Sequence, residues 1–97
     1  MIKEVCRYTF GLKVPMRDVE ESVLLAMLAA EGLHGSPRVR MEAGYLVDAK
    51  KRACVVDITT DVGRDIARIL TSFLAREFGE NAFEVKRLDR PPQLQPV

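Results

Sequence analysis

Tryptophan is absent from the 97 residues, histidine occurs once, and the two cysteines, Cys6 and Cys54, stand 48 positions apart. Zinc takes about four nitrogen or sulfur ligands, two of them usually close in sequence. One imidazole and two distant thiols therefore point to no metal, and no other cofactor is expected. An excess of one charge is also missing: 15 Lys and Arg stand against 14 Asp and Glu, a formal net charge of +1. Affinity for nucleic acid or an anionic membrane rests on a positive excess, so neither is read as a partner. The longest unbroken apolar run, residues 23–30, has eight residues, whereas a membrane-spanning helix needs about 20. Residues 1–7 carry Lys3, Glu4 and Arg7 where an export signal needs an apolar stretch. A reduced, cytoplasmic protein is the expectation.

A chain this short closes one core, so a single domain over residues 1–88 is expected, followed by an extended tail over 89–97 that holds three prolines. Cys6, Tyr8, Phe10, Leu12 and Val14 alternate with Arg7, Thr9, Gly11 and Lys13, the period-two pattern of a half-buried strand that Pro15 ends. Asp18 followed by Glu21 has capping-box spacing, which predicts a helix starting near residues 16–19. That helix is read through Glu31 to a stop at Gly32, with Leu33 packing back on Leu28. Val39, Met41, Ala43, Tyr45 and Val47 give a second alternation, hence a second strand. After a polar turn, Cys54, Val56 and Ile58 predict a third strand paired to it as a hairpin. Thr60 or Asp61 caps a second helix, whose buried stripe is Val62, Ile66, Ile69, Leu70 and Phe73 and whose outer side carries Arg64, Arg68, Thr71 and Ala75. Gly79 ends it, and Phe83 and Val85 mark a fourth strand.

The order strand, helix, strand, strand, helix, strand over residues 2–88 resembles the ferredoxin-like α+β sandwich. The resemblance implies a four-stranded antiparallel sheet of order 4-1-3-2 with both helices on one face. It covers element order alone, and such a scaffold licenses no function by itself. Cys6 and Cys54 would both face the core, several residues apart along the sheet, as small hydrophobes without a disulfide. The open face would carry Arg7, Thr9, Arg38, Arg40, Glu42, Val55, Asp57, Thr59, Glu84 and Lys86. With no aromatic on its central strands, it offers no platform for stacking bases.

Three features carry functional readings. At one edge of the sandwich His34, Gly35 and Ser36 would meet Thr60, Asp61, Gly63, Arg64, Lys86 and Arg87. There the N-terminus of the second helix, with two arginines and a glycine permitting close approach, suits a small anionic ligand. Of this group, His34, Thr60, Asp61, Gly63, Arg64 and Arg87 are the candidate ligand-binding residues, although a capping Asp61 already answers those donors. His34 with Ser36 is the one visible start of an acid-base or nucleophilic site, and it lacks an orienting group. On the first helix, Leu24, Leu25 and Leu28 lie opposite the core stripe Val19, Val23, Ala26, Met27 and Ala30, among Glu20, Glu21 and Glu31. A helix packed on a sheet needs only one apolar side, so a second one reads as a contact surface. The preferred function is therefore a small non-enzymatic domain that works by protein association, as a homodimer through that helix or with another protein. An anion-binding or regulatory domain is the first alternative, and an enzyme using His34 the second. Pro91, Pro92 and Pro96 superficially resemble a polyproline ligand, which a proline-bearing terminus needs no partner to explain.

Overall fold

The computed structural model describes residues 4–89. Its elements are β1 (Val5–Phe10), α1 (Met16–His34), α2 (Ser36–Glu42), β2 (Tyr45–Asp48), β3 (Ala53–Asp57), α3 (Asp61–Phe78), a 3-10 turn (Glu80–Ala82) and β4 (Phe83–Leu88). Of the tail read over residues 89–97, residues 90–97 lie outside the described residues. Together they make a small α+β fold, an open four-stranded antiparallel sheet with three helices. The sheet is ordered β2-β3-β1-β4, which counted from the other edge is β4-β1-β3-β2.

Register explains which side chains are buried. Cys6 lies beside Val56 and Arg87, Tyr8 beside Cys54 and Val85, and Phe10 beside Phe83, all on one face. Tyr8, Phe10, Cys54 and Val56 share a single core with Val19, Val23, Ala26 and Ala30 of α1 and with Val62, Ile66, Leu70 and Leu74 of α3. Both long helices therefore cover the same side of the sheet. They run antiparallel: the Ser22 hydroxyl donates to Glu77 at 3.5 Å at one end, and His34 meets Asp65 at the other. Phe83 fastens edge strand β4, its ring tilted against those of Tyr8 and Phe10 at 6.4 and 6.2 Å between centroids.

Three local expectations are corrected. The first helix has no capping box; it starts directly after Pro15, whose carbonyl accepts from the Asp18 and Val19 amides, and Asp18 sits inside the first turn. There its negative charge complements the helix dipole. The helix also passes through Gly32 and ends at Gly35, whose φ of 87° suits glycine alone and whose N–H donates to the Glu31 carbonyl at 2.8 Å. Leu33, expected to fold back on Leu28, is exposed.

The largest departure is α2, a helix where Val39, Met41 and Ala43 predicted strand. Gly35 precedes it, Pro37 stands in its first turn, and Arg38 binds Glu42 one turn on through two hydrogen bonds of 3.1 and 3.0 Å. Val39 alone is buried, whereas Met41 points out. Arg38, Arg40 and Glu42 therefore leave the open face. On the central strands that face carries Val5, Arg7 and Thr9 beside Asp57, Val55 and Ala53, with no aromatic. Of these, Val5, Ala53 and Val55 are buried.

Arg52 closes the β2–β3 hairpin at a φ of 53°, unusual for a side chain with a Cβ. Its guanidinium donates to the Gly11 carbonyl at 2.6 Å and to the Val14 carbonyl, clamping the loop between β1 and α1. Charge-assisted hydrogen bonds contribute about 1.5–3 kcal/mol, so Arg52→Ala is expected to lower urea-unfolding stability by about that amount. Arg52→Gly should lose roughly 1 kcal/mol less, because glycine removes the backbone penalty that alanine keeps. Equal losses would contradict the strain.

Candidate functional site

The six candidate ligand residues do not assemble into one site. Thr60 is the N-cap of α3: its hydroxyl oxygen accepts from the Gly63 amide at 3.0 Å and its hydroxyl reaches the Glu42 carbonyl at 3.4 Å. Asp61 accepts from Arg64 at 2.5 Å. Gly63 permits a close approach, but by the protein itself. A Cβ built there would lie 1.9 Å from the Asp57 carbonyl oxygen. The first turn of α3 is thus packed on the end of β3 and capped, and the expected anion cradle at that helix start is corrected to a structural junction.

His34 stands apart from that junction. Its Nε2 lies 2.8 Å from an Asp65 oxygen and its Nδ1 3.5 Å from Arg38, whose guanidinium also holds Glu42. The Arg38 contact keeps the Glu42 carboxyl below the usual carboxylate range. Both imidazole nitrogens are engaged in a pin joining α1, α2 and α3. A general base needs a nitrogen free to take a proton from a nucleophile, so this arrangement suits a tie better than a catalyst.

Arg64 and Arg87, in contrast, border the same cleft. They line a cleft of about 420 Å³ between α3 and the β1–β4 edge, together with Cys6, Tyr8, Ile58, Ala67, Arg68 and Thr71. Arg64, Arg68 and Thr71 recur at helical spacing along one stripe of α3, and sheet register sets Arg87 beside Cys6. Each arginine is oriented by a carboxylate outside the lining: Asp61 for Arg64, Asp65 for Arg68 at 3.5 Å, and Glu4 for Arg87 at 3.0 Å. Arg64 also donates to the Ile58 and Thr59 carbonyls, both at 3.3 Å. Beneath them the Tyr8 hydroxyl lies 3.0 Å from the Ala67 carbonyl and 2.8 Å from the Thr71 hydroxyl. Burial pushes the Cys6 thiol up, partly offset by Arg87, so it is neutral at physiological pH.

Cys6, Tyr8, Ile58, Ala67, Arg68 and Thr71 are cleft residues that sequence reasoning does not single out. The signal for Arg68 and Thr71 was their shared stripe with Arg64, and for Cys6 its even-numbered place on the helix-covered face. On α1 the three leucines stand where expected, with 49% of Leu24, 56% of Leu25 and 61% of Leu28 exposed. Leu25 also borders a shallow groove with Ser22, Phe73, Arg76 and Glu77 between the two long helices.

Among the described residues no three His, Cys, Asp or Glu side chains gather where a metal could sit, and both cysteines are free thiols. Among those residues, too, no helix is long and apolar enough to cross a membrane. The chain matches no protein-family model, no curated protein and no solved structure.

Proposed function

We propose that this protein acts by association, and that a second copy covers the outer face of α1. The observation that carries the reading is the second apolar side of that helix: Leu24, Leu25 and Leu28 stay half exposed while Val19, Val23, Ala26 and Ala30 already fill the core. A second copy is the economical partner, since twofold homodimers dominate among soluble oligomers. On this reading the fold is a ferredoxin-like sandwich with α2 added after α1, and two free thiols suit a reduced, cytoplasmic setting.

Magnitudes set the expected strength. Burying one leucine fully gains roughly 1.5–3 kcal/mol, so three half-exposed ones give each protomer about half that total. The pair gains about 4.5–9 kcal/mol, against about 4–15 kcal/mol or more of lost freedom on association. A dimer resting on these leucines is therefore weak and reversible. Glu20, Glu21 and Glu31 flank the leucines on both sides, so a twofold brings acids of the two copies near one another and added salt should tighten the dimer.

The test is solution mass against concentration. The native chain is expected to rise above its monomer mass of 10.9 kDa at high protein concentration, more so in salt. The Leu24→Lys, Leu28→Lys double variant should stay monomeric. Both leucines are exposed, so that variant should keep its fold, which circular dichroism checks. A native chain that stays monomeric, or a variant that associates equally well, removes the reading.

A further inference from the structure

We infer that the cleft between α3 and the β1–β4 edge binds a small organic anion with an apolar body, an activity separate from association through α1. Every charged side chain lining the cleft is an arginine, contributed by Arg64 and Arg68 from α3 and Arg87 from β4. The floor between them is apolar, with half-buried Cys6 and the edges of the largely buried Ile58 and Ala67 lying over fully buried Tyr8. A cleft of about 420 Å³ falls in the range of small-molecule sites, about 300–1,000 Å³.

Charge alone would be a weak argument, because each arginine already has a carboxylate. The geometry leaves capacity. A guanidinium carries five N–H donors. Arg87 gives one bond to Glu4, and Arg68 gives one, long at 3.5 Å, to Asp65. Arg64 uses its two terminal nitrogens on Ile58, Thr59 and Asp61. Arg64 is held by its three bonds, whereas Arg68 and Arg87, 78% and 63% exposed, keep most of their donors for a ligand. The paired acids are absent from the lining, so an incoming anion meets guanidinium first. Arginine forks bind carboxylate and phosphate best when two N–H groups act together, and the part-buried Thr71 hydroxyl borders the cleft below them. The sequence places an anion at the α3 start; the structure moves it along the same helix and over the sheet.

Octanoate, a carboxylate on an apolar chain, is a suitable probe, with octylammonium and inorganic phosphate for comparison. Titrated into labelled native protein and followed by NMR, octanoate should give saturable shifts centred on Cys6, Tyr8, Ala67, Arg68 and Thr71, and should slow alkylation of Cys6. Octylammonium should not saturate, and phosphate should bind more weakly than octanoate. The Arg64→Gln, Arg87→Gln double variant should bind octanoate at least about tenfold more weakly. If that variant proves unfolded, Arg68→Gln, which gives up only one long ion pair, should still weaken binding. Absence of saturable shifts, shifts centred on α1, equal binding of octylammonium, phosphate binding as tight as octanoate, or undiminished affinity in a folded arginine variant would each overturn the assignment.

Discussion

Gly63→Ala is expected to destabilise the fold sharply. The added carbon would sit 1.9 Å from the Asp57 carbonyl oxygen and 3.0 Å from its carbon, with the Ile58 Cα at 3.3 Å. All three neighbours are backbone, so no flexible side chain can swing away. Relief requires α3 to lift off the end of β3. That movement would break the Thr60 cap on the Gly63 amide and open the seat of Val62, which is fully buried. Overpacking typically costs about 1–3 kcal/mol and occasionally more, and a clash with fixed backbone belongs at the upper end of that range, a large share of the roughly 5–15 kcal/mol that holds a domain together. Gly32→Ala is the matched control. It lies inside α1 with open space where the Cβ would go, so alanine should stabilise the helix by about 1 kcal/mol. Urea unfolding of both variants reads the difference, and a Gly63→Ala midpoint close to the native one would contradict the junction.

Alkaline pH and thiol reactivity should show the second large effect. Burial pushes the Cys54 thiol from its ordinary value near 9 up to about 12. Its thiolate fraction at pH 8 is therefore lower by about a thousandfold, and only the thiolate reacts. Native protein should accept an alkylating reagent slowly at half-buried Cys6 and at Cys54 only once denaturant is added; equal rates at both thiols in native buffer would contradict the buried position. The same shift links to stability. The unfolded chain ionises this thiol above pH 9 while the folded chain keeps it neutral. Its contribution is fully present below pH 9 and lost as pH climbs towards 12. Burial moves Tyr8 upward as well, so its phenol acts in the same direction. Cys54→Val should flatten the fall in stability that begins near pH 9.

Much of the architecture follows from residue alternation that has a single reading. Tyr8 and Phe10 can face the core together only in a strand, and the long stripe from Val62 to Leu70 fits only a helix. Residues 36–43 show where such patterns become ambiguous. Val39, Met41 and Ala43 alternate, but over so short a span one buried valine satisfies a helix equally well. The deciding features were local: Gly35 before Ser36 and Pro37 as a start, and Arg38 with Glu42 one turn apart. Gly32 and Gly35 pose a similar problem, since either can end a helix, and the positive φ at Gly35 depends on how the chain must turn into α2.

The candidate site was legible in part for the same reason. Arg64 and Arg87 are readable in the sequence because the topology brings a helix start and an edge strand together. Their companions needed the register that pairs Cys6 with Arg87 and the helical phase that puts Arg68 and Thr71 over the sheet. A glycine in sequence shows that something approaches closely. Whether that something is a ligand or, as at Gly63, a neighbouring carbonyl becomes visible only in three dimensions.

Dilution of labelled native protein tests association through α1 most directly, because it reports both whether copies meet and where. As concentration falls, amide signals along the outer side of α1, around Leu24, Leu25 and Leu28, should move together towards monomer positions, while β2, β4 and the cleft stay fixed. Signals that do not move at any concentration, or that move on a sheet edge while α1 stays still, would contradict the proposed interface.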